Sequence, residues 1–163
     1  MNHDADVAIG AIAAAVSRIT GLYTKFAQKH GISYGVIQVL YVLNVKNPVT
    51  QKQISEICEI PKQTVNSVVN QLKDDKYITL TSSTGDKREK TISLTQLGEA
   101  YLKETLSPFF ETNKMVVNRV GMDLIRQLST GLTTLGDTLE LEIELKDVSL
   151  KWEEKIKKNK GDS

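Results

Sequence analysis

A short helical pattern, a tight turn and a second helix with one apolar stripe run directly into two alternating β segments around a polar tip. Together they predict a mostly α fold with a small β-hairpin wing, a winged helix-turn-helix. On either side lie longer segments whose apolar residues step by three and four, the period of amphipathic helices that need a partner. The chain is therefore expected to divide into a winged module at 33–95 flanked by an N-terminal helix at 1–32 and C-terminal helices at 96–163 whose stripes suit dimerisation.

The first helix is expected from about Ala5 to His30. Ile9, Ile12, Val16, Ile19, Tyr23 and Phe26 share one face, and Lys29-His30-Gly31 ends it with basic groups at the carbonyl end and then glycine. Ser33 can cap a second helix, Tyr34 to about Val45, which Asn47-Pro48 breaks. In Thr50-Gln51-Lys52-Gln53 the threonine can accept from a free amide while the glutamine reaches back. This capping box opens a third helix to about Cys58, with Ile54, Ile57 and Cys58 on one side. After Glu59-Ile60, Pro61 stands where a first helical residue tolerates proline. The fourth helix, to about Asp75, carries Val65, Val68, Val69 and Leu72 as a single stripe.

The period then changes. Tyr77-Ile78-Thr79-Leu80-Thr81 and Lys90-Thr91-Ile92-Ser93-Leu94 alternate on either side of a polar, turn-rich stretch. Thr95 can cap the next helix; Pro108 should kink it or mark an irregularity, and Gly121 should break it. A last long helix begins near Met122, with Ile125, Leu128, Leu132, Leu135 and Leu139 again stepping by three and four.

Composition narrows the class. With 163 residues, 40% hydrophobic and 25% charged, the chain can bury a core without staples and is ordinary for a soluble globular protein. A net charge of +1 does not by itself point to nucleic acid. Glu140, Glu142 and Glu144 concentrate acid late in the chain, so the near-neutral total can hide a locally basic face. The single cysteine, Cys58, cannot form an internal disulfide. The start, Met1-Asn2-His3-Asp4-Ala5-Asp6, lacks the basic region of a leader, and no apolar run approaches the roughly 20 residues of a membrane span. A cytoplasmic protein without a membrane partner is expected. No nucleophile–base set, metal-ligand cluster or phosphate loop stands out, so neither an enzyme nor a metal or other cofactor is expected. His30 reads as a helix C-terminal charge and Cys58 as a small core residue.

On the fourth helix, Lys62, Gln63, Asn66, Ser67, Asn70 and Gln71 lie opposite the apolar stripe. Glutamine and asparagine can bond adenine N6 and N7 together in a major groove, and Lys62 can reach a phosphate. Ile60 cannot cap the helix, which leaves its first amides free for an anion. An ordinary solvated surface would look similar; the wing beside it tips the reading to DNA.

Thr50-Gln51-Lys52-Gln53-Ile54-Ser55-Glu56, Ile60-Pro61-Lys62-Gln63-Thr64-Val65, and Asp86-Lys87-Arg88 with Leu94-Thr95-Gln96-Leu97-Gly98 resemble the MarR family of bacterial transcriptional regulators. The resemblance spans about Ser33 to Thr105. It implies a homodimer on a pseudo-palindromic operator in double-stranded DNA, a repressor released by a small-molecule effector. It also implies that Arg88 enters the minor groove, with Asp86 orienting the tip and Lys87 at a phosphate. The expected DNA contacts are Thr50, Lys62, Gln63, Thr64, Asn66, Ser67, Asn70, Asp86, Lys87 and Arg88. Tyr23, Phe26, Tyr34 and Tyr41 could line an effector pocket, but core packing explains them equally well and no effector site is assigned. The alternative is a winged-helix protein-interaction module without operator binding, which steep salt dependence of DNA affinity would exclude.

Overall fold

The computed structural model describes the backbone of residues 3–82 and 90–161, and side chains within 3–81 and 90–147. Asp86, Lys87 and Arg88 lie outside the described residues. The elements are α1 (His3–Lys29), α2 (Tyr34–Val45), β1 (Val49–Thr50), α3 (Gln51–Cys58), α4 (Lys62–Asp74), β2 (Ile78–Ser82), β3 (Lys90–Leu94), α5 (Gln96–Val120) and α6 (Met122–Gly161). They form two compact units, one ending at Phe110 and the other beginning at Glu111.

The first unit holds the core. α2 is apolar on almost every side and becomes its central rod, burying Val36, Ile37, Val39, Leu40, Val42 and Leu43. Ser33 caps it by accepting the Val36 amide at 3.3 Å. Around it pack Ile54 of α3, the α4 stripe Val65, Val68, Val69 and Leu72, and Leu102, Leu106 and Phe109 of α5. Val49, Ile78 and Ile92 close the core from the sheet.

That sheet is antiparallel, ordered β1-β3-β2. The hairpin pairs Ile78 with Leu94 through to Ser82 with Lys90, as its alternation predicts. β1, unmarked in the sequence because two residues cannot show a period, pairs Val49 with Ile92 and Thr50 with Thr91 on the other side of β3. The Asn47 carboxamide oxygen accepts the Leu94 amide at 3.2 Å, tying the base of the wing to the end of α2.

Only the last turns of α1 join the core. Ala27 is buried; Tyr23 stacks parallel to Tyr34 at 6.0 Å and lies 5.0 Å from Phe109. His30 ends the helix, its ring nitrogen 2.9 Å from the Phe26 carbonyl, and Gly31 turns the chain at φ 73°. The earlier seam residues Ile9, Ile12, Val16 and Ile19 remain 39–52% exposed in the single chain.

Two expectations need correction. α1 is long and apolar enough, by length and composition, to cross a membrane: alanine, glycine and isoleucine spread over 27 residues meet a criterion that a search for an unbroken apolar run misses. Ile57 is not on the buried side of α3; it is 56% exposed at the edge, while Ile54 and Cys58 face inward. α5 runs through Pro108 and stays helical to Val120, and Gly121 at φ 86° separates it from α6. A single proline removes one backbone donor, a loss that a 25-residue helix absorbs.

The second unit contains the end of α5 and the 40-residue α6. Leu128, Leu132 and Leu139 of its seam are exposed, and Leu135 is partly so. Thr134 and Thr138 satisfy their hydroxyls on the carbonyls one turn back, at 3.0 and 2.7 Å.

The entry to α5 is the tightest junction. Thr95 accepts the Gly98 amide at 2.9 Å, while its hydroxyl lies 2.8 Å from the Lys76 carbonyl and 3.2 Å from that of Tyr77. The Thr95 amide donates to the Tyr77 carbonyl at 3.0 Å. A side chain on Gly98 would meet that carbonyl oxygen at 1.8 Å, so only glycine fits without backbone movement. One turn on, the Tyr101 ring stacks on Tyr77 at 4.0 Å. Gly98→Ala should therefore destabilise the fold by at least about 2 kcal/mol, an overpacking cost set by backbone rather than by a movable side chain. Urea unfolding with an unchanged midpoint would contradict the packing.

Candidate nucleic-acid interface

α3 and α4 meet through a three-residue turn, Glu59 to Pro61, whose geometry is fixed at both ends. At the start of α3, Thr50 accepts the Gln53 amide at 3.3 Å and Gln53 Oε1 accepts the Thr50 amide at 3.1 Å, completing the capping box read from the sequence. At its end, Glu59 adopts the left-handed conformation, φ 50°, and donates its amide to the Ser55 carbonyl. The Ile60 amide donates to the same carbonyl at 3.3 Å, and the Ser55 hydroxyl donates to the Ile60 carbonyl at 2.7 Å.

α4 begins at Lys62; Pro61 is its N-cap rather than the first helical residue expected from the sequence, and makes no side-chain cap. Its first backbone bond runs from the Val65 amide to the Pro61 carbonyl at 3.2 Å, so the amides of Lys62, Gln63 and Thr64 precede the helical ladder. Val65, Val68, Val69 and Leu72 are buried; Lys62, Gln63, Thr64, Asn66, Ser67, Asn70 and Gln71 are exposed. By the helical period Gln63, Ser67 and Asn70 lie directly opposite the buried stripe. Lys62 and Asn66 share one margin, and Thr64 and Gln71 the other. The structure thus brings the predicted α4 residues to one surface, with Thr64 at its rim: a methyl built on Gly35 of α2 would lie 3.5 Å from the Thr64 methyl.

Two further residues belong to this region. Lys73 is exposed on the same margin as Lys62 and Asn66, a placement visible in the 3.6 period. Ser55 acts at the turn; a serine inside a short helix gives no sequence signal for that role. Thr50 is half-buried, with its side-chain oxygen in the cap and its backbone in the sheet. Lys52 and Glu56 form an exposed i,i+4 pair at 3.8 Å, which adds little stability.

Beneath the turn, the Cys58 thiol is half-buried, 3.8 Å from the Gln38 carbonyl. Burial pushes its pKa above the usual thiol range. The Tyr34 phenol is raised too, by burial first and then by Tyr23 and Cys58. These groups are neutral at pH 7, a state that gives Cys58 none of the thiolate character a redox switch requires. Among the described residues, no group of three His, Cys, Asp or Glu side chains is placed to hold a metal ion.

A helix-turn-helix with a polar outward face on its second helix, continuous with a hairpin wing, is the fold of a winged-helix transcriptional regulator. Residues 30–89 match the family model described as the MarR family. Over 119 residues the chain is 27% identical to the HTH-type transcriptional regulator BilQ of Clostridium symbiosum, covering 73% of this chain and 83% of that protein. A MarR family regulator from Neisseria meningitidis superposes with a TM-score of 0.75 at 26% identity, covering 83% of this chain and 96% of that one. A MarR/EmrR family transcriptional regulator from Acinetobacter sp. ADP1 gives a TM-score of 0.64 at 26% identity, covering 86% and 99%. The chain is thus similar to MarR family regulators, in sequence over residues 30–89 and in fold over most of its length. These relatives are regulators, not enzymes.

The neutral thiol and phenol make a prediction about pH. A group whose folded pKa is raised contributes stability that is fully present below its unfolded pKa and is lost as pH rises through the folded value. Cys58 and Tyr34 are both raised, so urea stability should be level through neutral pH in their respect and fall above about 8.5, first through the thiol and then through the phenol. Cys58→Ser should shallow the first part of the fall. Stability rising between pH 8.5 and 10.5 would contradict the burial of both groups.

Proposed function

We propose that the chain is a homodimeric repressor that binds a pseudo-palindromic operator and is released from it by a small-molecule effector. The observation that carries this reading is α4: four buried valine and leucine residues on one side and an outward surface of amides, hydroxyls and a lysine on the other. Such a surface supports base reading, because glutamine and asparagine present paired donors and acceptors matching adenine, and short side chains let the helix approach the groove floor. Gln63, Asn66, Ser67 and Asn70 are assigned to base edges, with Thr64 at the rim of the contact. Lys62 and the free amides at the start of α4 serve phosphates, and the Thr50 hydroxyl hydrogen is available to another.

The winged module, 33–95, is proposed to do the reading and the segments 1–32 and 96–163 to assemble the dimer. The exposed apolar seams on α1 and α6 support assembly, since each leaves large aliphatic residues in water that a second copy can cover. Each 100 Å² of apolar surface so covered contributes about 2.5 kcal/mol before association costs. A twofold dimer then presents two α4 helices, about 34–36 Å apart for adjacent turns of one DNA face. Asp86, Lys87 and Arg88 are assigned to the wing tip, with Arg88 in the adjacent minor groove, Lys87 at phosphate and Asp86 orienting them. The site of action is the cytoplasm, where the operator is.

Binding-site selection from random duplexes tests the base readers. Gln63→Ala and Asn66→Ala should each cost about 1–3 kcal/mol on the preferred duplex and relax preference at one position. Unchanged preference at every position in both variants would remove them from the readout.

The wing is tested separately. Arg88→Ala should weaken binding and erase a preference for A·T pairs flanking the major-groove half-site, with thermal stability unchanged because a hairpin tip carries little core. Parent affinity and parent flank preference at matched salt would contradict the assignment.

A further inference from the structure

We infer that Ser55 is a positioning residue for DNA recognition: it sets the angle at which α4 leaves the turn, and so the register of the base-reading face. The inference rests on the DNA-binding reading of α4.

Ser55 bonds both sides of the turn. Its carbonyl accepts the Glu59 amide and, at 3.3 Å, the Ile60 amide. Its hydroxyl donates to the Ile60 carbonyl at 2.7 Å. The first two bonds end α3 and depend on backbone alone. The third spans five residues and fixes the peptide that enters Pro61, the N-cap of α4. α4 has no side-chain cap of its own, so the orientation of its first turn is inherited from the turn before it. Within that turn Glu59 occupies the left-handed region, which a non-glycine residue holds only when its surroundings enforce it, so the bonds around it decide the turn's shape. Gln63 and Asn66 stand in the first two turns of α4. A small rotation of the Ile60–Pro61 peptide therefore acts first on the reading side chains and on Val65, while most of the buried stripe, Val68, Val69 and Leu72, is anchored further along.

The chemistry separates this role from bulk stability. Ser55→Ala deletes the donor and leaves the Ile60 carbonyl without it; Ser55→Thr keeps a hydroxyl at the same Cβ. Ile78→Val trims a buried strand residue away from the turn and serves as a destabilised control. All are full-length chains, compared at a temperature where circular dichroism shows each folded. The probes are the duplex selected from a random library on the parent protein and a scrambled duplex of equal length and composition.

Ser55→Ala should lower affinity for the selected duplex about 10-fold, as expected for losing one organising hydrogen bond. Affinity for the scrambled duplex and the salt slope of that binding should stay at parent values, so the specific-to-nonspecific ratio falls by the same factor. Ser55→Thr should recover most of the ratio, and Ile78→Val should keep it whatever its loss of stability. A parent ratio in Ser55→Ala, or an equal fall in Ile78→Val, would overturn the positioning role while leaving the DNA-binding reading intact. A parent protein with no preference between the two duplexes would overturn that reading and this inference together.

Discussion

The carbonyl of Tyr77 is where three parts of the molecule are held at once. It follows α4 through the turn at Lys76, leads into the first strand of the wing, and presses against the entry of α5, where it takes the Thr95 amide and excludes any side chain from Gly98. The Tyr77 amide in turn donates to the Leu72 carbonyl in the last turn of α4, at 2.9 Å. α4, the wing and the helix that leads out of the module are thus tied together through the backbone of one residue, Tyr77. The stacked Tyr77 and Tyr101 rings widen this hinge into a rigid corner.

That rigidity gives meaning to the surface of α4. The helix is held from beneath by a valine–leucine stripe against α2 and from behind by the Tyr77 junction. Its outward residues need do nothing for the fold and are free to be chosen for what they meet. The uncapped start at Pro61 and the left-handed Glu59 both cost local stability. They sit beside the proposed contact surface, where such costs are commonly found. The exposed seams of α1 and α6 follow the same logic at larger scale: aliphatic residues left in water are intelligible once a second copy covers them.

Much of this could be read from the sequence because it rests on short-range rules. The Thr50–Gln53 box, the Ser33 cap, the α4 stripe and the pairing of Ile78 with Leu94 come from hydrogen-bond geometry a few residues long or from simple periods. What was hidden depends on contacts between distant segments. β1 exists only because β3 lies beside Val49. Thr95 was legible as a cap, but the need for glycine at 98 comes from a carbonyl 21 residues away in the chain. Ile57 looked buried from its spacing and is exposed because α3 meets its neighbours along a narrower stripe. Ser55 is one of the commonest residue types in one of the shortest helices, and its partner Ile60 appears only once the turn is folded. The membrane-like length and apolarity of α1 do not show as one unbroken apolar run because Ser17 and Arg18 interrupt it in mid-helix.

The central claim is that two copies of this chain act as one reader of DNA. Sedimentation equilibrium of the full chain, 18.1 kDa, alone and with the selected duplex, tests it directly. The account predicts a dimer without DNA, two chains per duplex with it, and an affinity whose logarithm falls linearly with the logarithm of salt concentration. A monomer that binds one chain per duplex, or a complex indifferent to salt, would contradict it.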